Sequence, residues 1–306
     1  MDNPSTEAQA NLELILNQVR VLCKGVRFSN RVSKQGRPPK YPNWYILQLM
    51  VIQYFLGFNS ERSYLRFLKQ LSLPALAELP DQSLYNRRVK KLKPLVKSLT
   101  KKLLNELRVE KSKIRILDAT PVPVVKYSRA KRRKIFLDKN LIGIGYCSSQ
   151  KTYFCGAKLN LLVNQDGIPC QTNLIAGNRH DVGGLRQFME DKLIKSLVVV
   201  ADKGYIIKSE EKQILKQKKL IRLITPYRRN QRKNNSEKEK QLLKKRKIIE
   251  TVISQLKDQM RLEHLRTKTY EGLVSRIDNI LFTYIFGVYF NKLTNRNPLN
   301  LKSILT

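Results

Sequence analysis

Apolar residues at positions 12, 14, 15, 16, 19, 21 and 22 predict a helix with one wet side over Asn11–Cys23. Trp44–Phe58 is apolar on nearly every side and halts at Gly57, the pattern of a helix buried in a core. Between them, Gly36-Arg37-Pro38-Pro39-Lys40-Tyr41-Pro42 reads as a basic turn, because proline removes backbone donors and restrains its predecessor. Asn59-Ser60-Glu61-Arg62-Ser63 offers an N-cap to a helix reaching about Leu71. Pro80-Asp81-Gln82-Ser83 offers another to Leu84–Lys91. Lys93–Arg108 continues as a basic amphipathic helix. Short helices ending in a basic one fit a helix-turn-helix-like module, and equally a bundle with a solvated basic face.

From residue 114 the periodicity shifts to that of strands. Ile114–Leu117 is a short β-rich run ending in Asp118. Tyr153–Val163 and Ile168–Ile175 form a hairpin around the tight turn Gln165-Asp166-Gly167. Asp181–Leu193 is a helix, and Val198–Val200 a continuous apolar strand running into Ala201-Asp202-Lys203-Gly204-Tyr205. Ile207–Lys219 is a second crossover helix, Leu220–Thr225 another strand, and Tyr227–Lys240 a polar, basic mobile loop. Gln241 to about Leu262 reads as one long helix and Gly272–Leu293 as another. This order predicts an α/β fold, a mixed sheet with helices on its faces. The expected domains are a helical, DNA-binding module at 1–105, an α/β domain at 106–265, and a helical extension at 266–306 packed on it.

Charge narrows the function. Sixty Lys plus Arg against 24 Asp plus Glu give +36 and a sequence pI near 10.2, so the expected partner is a polyanion, double-stranded DNA first. No membrane role is expected, since Ile280–Phe290 is far shorter than the roughly 20 apolar residues a bilayer needs. The polar start, Met1–Ala10, does not read as a signal peptide. Four cysteines without a Cys-x-x-Cys pair, and only two histidines, argue against zinc and for free thiols in a reducing, cytoplasmic setting.

Two strand-end aspartates call for a third carboxylate. Ile249, Val252, Ile253 and Leu256 form the buried stripe of the long helix, while Arg246, Glu250 and Lys257 share the stripe beside it. Glu250, steadied by Arg246 one turn earlier, then joins Asp118 and Asp202. An all-oxygen set of this kind selects Mg²⁺ or Mn²⁺, two ions about 3.5–4 Å apart in a phosphoryl-transfer site.

The order Asp118, Asp202, Glu250 on strand, strand and helix resembles a DDE transposase with a ribonuclease-H-like fold. The spacing Arg246, three residues, Glu250, six residues, Lys257 is similar to an insertion-sequence signature, with Leu243 where the signature has tyrosine. Asp118-Ala119-Thr120-Pro121-Val122-Pro123-Val124, Tyr153-Phe154-Cys155-Gly156-Ala157-Lys158-Leu159, Gly177-Asn178-Arg179-His180-Asp181 and Ala201–Tyr205 resemble the nine-eighty-two (IS) group of prokaryotic insertion sequences. The resemblance covers about residues 40–293. It implies hydrolysis at terminal inverted repeats and joining of the freed 3′-OH to target DNA, cut-and-paste, by a homo-oligomer assembled on DNA.

Against these readings stand simpler ones. Asp118 and Asp202 could each cap a turn, and Glu250 alone could be a helix-surface charge. Asp181 caps the next helix or, with His180, forms an acid–base pair; Lys158 is an edge residue or a phosphate contact. Arg246, Lys257, Lys203, Arg87 and Arg88 are the other expected DNA contacts. The alternative functions are a nuclease that cuts without joining, or a non-catalytic DNA-binding descendant.

Overall fold

The computed structural model describes residues 6–24, 26, 39–71, 76, 78–138, 140–148, 150–190, 195–228 and 234–304. Its elements run α1 (Thr6–Cys23), α2 (Asn43–Phe55), α3 (Glu61–Gln70), α4 (Gln82–Lys91), α5 (Lys93–Glu106), β1 (Ile114–Val125), β2 (Gly143–Cys147), β3 (Thr152–Asn164) and β4 (Pro169–Ala176). Next come α6 (Asp181–Glu190), β5 (Val198–Ala201), α7 (Ser209–Lys219), β6 (Arg222–Ile224), α8 (Glu237–Lys244), α9 (Lys247–Asp258) and α10 (Tyr270–Leu293). Residues 36–38 of the predicted basic turn Gly36–Pro42, the end of the helix predicted to Leu193, and residues 229–233 of the predicted loop Tyr227–Lys240 lie outside the described residues.

The chain divides into two compact units: residues 1–103 with 256–262 and 271–306, and residues 104–255 with 263–270. The first is helical. Every residue of α2 from Tyr45 to Tyr54 is buried, as its all-round apolar sequence requires. Two buried tyrosines of the neighbouring helices bond to it: the Tyr64 hydroxyl donates to the Leu49 carbonyl at 2.6 Å and the Tyr85 hydroxyl to Gln53 Oε1 at 2.8 Å. Ser60 and Asp81 cap α3 and α4 by accepting from Ser63 N and Leu84 N. The basic helix expected at Leu84–Lys91 is α4; between it and α3 lie residues 71–81, some of them outside the described set.

The C-terminal helix belongs to this helical unit. The sequence suggests residues 266–306 as an extension of the α/β domain, but α10 and the residues after it meet α1, α2 and α3. Phe286 meets Phe55, Arg276 pairs with Glu61 at 2.9 Å, and Arg296 donates to Asn11. The physical reason is apolarity: α10 is buried along most of its length, and a helix of that kind completes a helical core. It is long and apolar enough to cross a bilayer, more than the eleven-residue run suggests, yet 72 % of that stretch is buried within the protein.

The second unit is built on a six-stranded mixed sheet. β1 pairs antiparallel with β3 and parallel with β5, which pairs parallel with β6. β3 is long enough to take two partners end to end on its other side, β2 along Thr152–Gly156 and β4 along Ala157–Val163. The predicted hairpin is β3–β4, its turn made at Gly167 with φ 77°. Leu185 and Phe188 of α6 pack on Leu117, Leu162, Val199 and Leu223 of the sheet.

Two expectations are corrected, and one strand is new. β1 does not stop at Asp118 but runs on through Pro121 and Pro123. Beyond Leu117 its β5-facing side has no ladder partner, and an unpaired edge tolerates proline. β2 escapes the sequence pattern, because its inner positions are Gly143 and Gly145 and show no hydrophobic alternation. A Cβ at Gly143 would lie 2.1 Å from Asn178 Oδ1, so only glycine fits that close packing. The end of the predicted loop, Glu237–Lys240, and the helix from Gln241 become α8 and α9. α8 begins earlier, at a capping box of Ser236 and Glu239, and the chain turns at Lys245–Arg246 before α9.

Candidate active site

The rungs of the β1–β5 ladder pair Ile114 with Val198 through Leu117 with Ala201. Asp118 and Asp202 are the next residues on each strand, so the ladder delivers both aspartates to one place. Neighbours in register on parallel strands present their side chains to the same face of the sheet. Asp202 initiates a 3-10 turn, Lys203–Tyr205, without capping it. The turn-capping alternative therefore does not describe Asp202.

Asp118 accepts from its neighbour's amide, Ala119 N, at 2.8 Å. Burial pushes its carboxyl up to about 6. The Ala119 amide and Arg246 oppose that rise, while the negative charges of Asp202 and Asp181 add to it. Asp202 is paired: Arg246 Nη1 lies 3.1 Å from its Oδ1. This corrects the expected Arg246–Glu250 pairing. Arg246 sits in the turn between α8 and α9, off the helical stripe predicted for it, and reaches the sheet instead. Its Nε is buried with no partner among the described residues.

A third aspartate stands in this field. Asp181, in the first turn of α6, receives Lys158 of β3 at 2.8 Å, and Lys158 also donates to the Arg179 carbonyl. A Cβ on Gly204 would come within 3.3 Å of Asp181 Oδ2. Beneath the cluster, the buried Tyr205 hydroxyl donates to Asn160 Oδ1 at 3.2 Å. Burial first, then the three aspartates, hold that phenol far above its ordinary range, so it serves as a neutral donor. Gly184 of α6 lets the helix approach Asn160, since an added Cβ would lie 2.2 Å from the amide carbon. Asn160 carries no sequence signal beyond its place in an apolar strand; Tyr205 belongs to the Ala201–Tyr205 phrase without being marked as a donor, and Asp181 is visible only as a cap or a partner of His180.

The other predicted residues are more dispersed. Glu250 is exposed on α9. Among the described residues, no three of His, Cys, Asp and Glu are gathered closely enough to hold a metal ion. Lys203 is exposed on the turn after Asp202, and Lys257 is half-buried on α9. In the helical unit Arg87 is exposed, whereas Arg88 is tied to Asn43 Oδ1 at 2.8 Å.

The α/β unit thus sets two aspartates side by side at the end of a parallel ladder, with an arginine paired to one of them. The family model described as Transposase DDE domain matches residues 108–270, which is more than half of the chain and nearly all of the α/β unit. The chain belongs to the DDE transposase family. A solved structure similar to it is the cryo-EM structure of piggyBac transposase synaptic complex with hairpin DNA. The TM-score is 0.49 at 10 % identity, over 99 % of this chain and 77 % of that one. No curated protein matches the sequence.

Proposed function

We propose that this transposase cuts the phosphodiester at the ends of its own short DNA element and joins the freed 3′-OH to target DNA, as a member of the nine-eighty-two (IS) group. The observation that carries the reading is the register of Asp118 and Asp202 at the end of the β1–β5 ladder. The net charge of +36 supports a DNA substrate for that site.

The donor chemistry of the aspartate pair fits a hard divalent cation: both ligands are carboxylates, and Asp118 carries a proton affinity that a neighbouring positive charge would relieve. Asp118 and Asp202 would hold Mg²⁺ or Mn²⁺; Glu250, which the fold does not gather with them, enters as third ligand on the resemblance alone. When bound, the ions supply Lewis-acid stabilisation of the attacking and leaving oxygens. The chain's own groups do the rest. Arg246 keeps Asp202 in place, and its unpartnered buried Nε is a donor suited to a phosphate oxygen. Lys158 fixes Asp181. Lys203 and Lys257 track the substrate backbone, while Arg87 on α4 is the better placed of the two α4 arginines to reach duplex phosphate. The helical unit is read as the DNA-binding, helix-turn-helix-like module, and two chains assemble on the paired element ends.

The test is strand cleavage on a duplex carrying an inverted repeat that flanks the coding region. Asp202→Asn should bind this duplex as the wild type does and not nick it in Mg²⁺. A variant that still nicks removes Asp202 from the chemistry. The exposed position of Glu250 favours a second reading, a DNA-binding descendant without activity; a wild type that binds the repeat and never cleaves it would establish that one.

A further inference from the structure

The outer end of the sheet carries a surface that the cleavage chemistry does not use. β2 alternates strictly, with Gly143, Gly145 and Cys147 turned inward and Ile144 and Tyr146 outward. Tyr146 is the registered cross-strand neighbour of Tyr153 on β3. Their ring centroids are 5.0 Å apart. A third ring comes from outside the ladder: Tyr127, on the 3-10 turn after β1, stacks on Tyr153 at 5.5 Å and 20° between planes. The three tyrosines are 51 %, 50 % and 56 % exposed for Tyr127, Tyr146 and Tyr153, and Ile144 extends the patch.

A cross-strand aromatic pair can serve merely to stabilise an edge strand. Two features go beyond that. Tyr127 belongs to no strand, yet it lies nearly parallel to Tyr153. Its segment, residues 126–134, holds Lys126, Arg129, Lys131, Arg132, Arg133 and Lys134 and no acid. All six but Arg133 are exposed; Arg133 anchors the segment by donating to the Phe136 carbonyl and to Cys155 Sγ. Aromatic rings set among cations are the chemistry of single-stranded nucleic acid: the cations follow the backbone and the rings take bases that have no stacking partner. A paired duplex hides its base faces and would use the cations alone.

From Asp118 to the end of β1 at Val125 the strand extends on the order of 20 Å at ~3.3 Å per residue, so this surface lies outside the aspartate site. We infer that Tyr127, Tyr146 and Tyr153, with the cations of 126–134, form a stacking platform for unpaired DNA, the single-stranded tail or displaced strand beside a cleaved end. The inference rests on the reading of the protein as a DNA transposase.

The experiment compares two labelled duplexes by fluorescence anisotropy, one blunt and one bearing an unpaired tail of six thymidines, against the full-length protein. The wild type should bind the tailed duplex at least five-fold more tightly. Tyr127→Ala/Tyr153→Ala should abolish that preference and leave blunt-duplex binding unchanged, while Tyr127→Phe/Tyr153→Phe should keep it. A double alanine variant that retains the preference overturns the platform and leaves DNA binding intact. Equal weakening on both duplexes overturns it in favour of a duplex contact. A wild type that binds neither duplex overturns the transposase reading along with it. Photocrosslinking of a bromouracil-substituted tail to the wild type needs no variant to fold: crosslinks should fall on Tyr127, Tyr146 or Tyr153, and crosslinks confined elsewhere overturn the inference. A double alanine variant that keeps the tail preference but sediments as a smaller species than the wild type makes the patch a protein interface and overturns the platform as well.

Discussion

Asp118 and Asp202 stand one residue beyond the last rung of the same parallel ladder, so the pairing that orders β1 and β5 also sets the distance between two like charges. Burial first, and the negative charge of Asp202 to a lesser degree, place Asp118 where ionisation is unfavourable. Its carboxyl titrates at about 6 in the folded chain, against about 3.9 for an ordinary aspartate. Between those values the folded chain holds a proton that the unfolded chain has lost. Stability from this group is thus highest at low pH and falls as pH rises through 6.

Asp118→Asn should then stabilise the protein at pH 7.5 without divalent ions. The gain should be about 2 kcal/mol, below the roughly 3 that 1.36 per pKa unit gives, because water screens the site. It should vanish by pH 4. Urea denaturation at the two pH values checks both the sign and the window.

Arg246 and Asp202 should behave as a coupled pair. Arg246→Gln should cost about 1–2 kcal/mol, since it leaves a carboxylate unpaired beside another. Adding Asp202→Asn should recover part of that loss. A double-mutant cycle with a coupling under about 0.3 kcal/mol would show that the ion pair is only geometric.

Neighbouring glycines of α6 should respond oppositely to alanine. Gly183 has open space around a new Cβ, so Gly183→Ala should stabilise by about 0.5–1 kcal/mol through helix propensity. Gly184→Ala would collide with the Asn160 side chain and should destabilise by about 1–3 kcal/mol, with loss of cleavage as α6 and Asp181 shift. Thermal melts of the two variants, run side by side, decide it.

Glu250 separates catalysis from stability. Because it is exposed, Glu250→Gln should change unfolding free energy by less than about 0.5 kcal/mol. Strand cleavage should nonetheless be lost if it is the third ligand. A variant with full cleavage would remove Glu250 from the site.

The sequence exposes whatever repeats a simple period. Val198–Ala201 running into Asp202 announces a buried strand with a reactive end, and the β3–β4 hairpin is marked by Gln165-Asp166-Gly167. Features that depend on tertiary proximity stay hidden. β2 presents glycines where a strand usually shows aliphatics, because the Gly177–Asn178 backbone and side chain crowd it. The capping box at Ser236 and Glu239 is present in the letters but submerged in a basic run. The partner of Arg246 escapes a reading of one continuous helix, because the chain turns there, and that turn re-aims the guanidinium from Glu250 to Asp202.

The helical unit is discontinuous in the chain: its first stretch ends at 103 and its last begins at 271. On the ribosome, α2 emerges long before α10, the helix that supplies Phe286 against its Phe55. At about 5–20 residues per second, the intervening α/β segment takes on the order of ten seconds or more to synthesise. The inserted unit, contiguous but for its last short stretch, can fold first, while the helical unit stays incomplete. Synthesis order therefore delays the helical core until the end of translation, and a message truncated before α10 would yield a folded sheet beside helices with no core to enter.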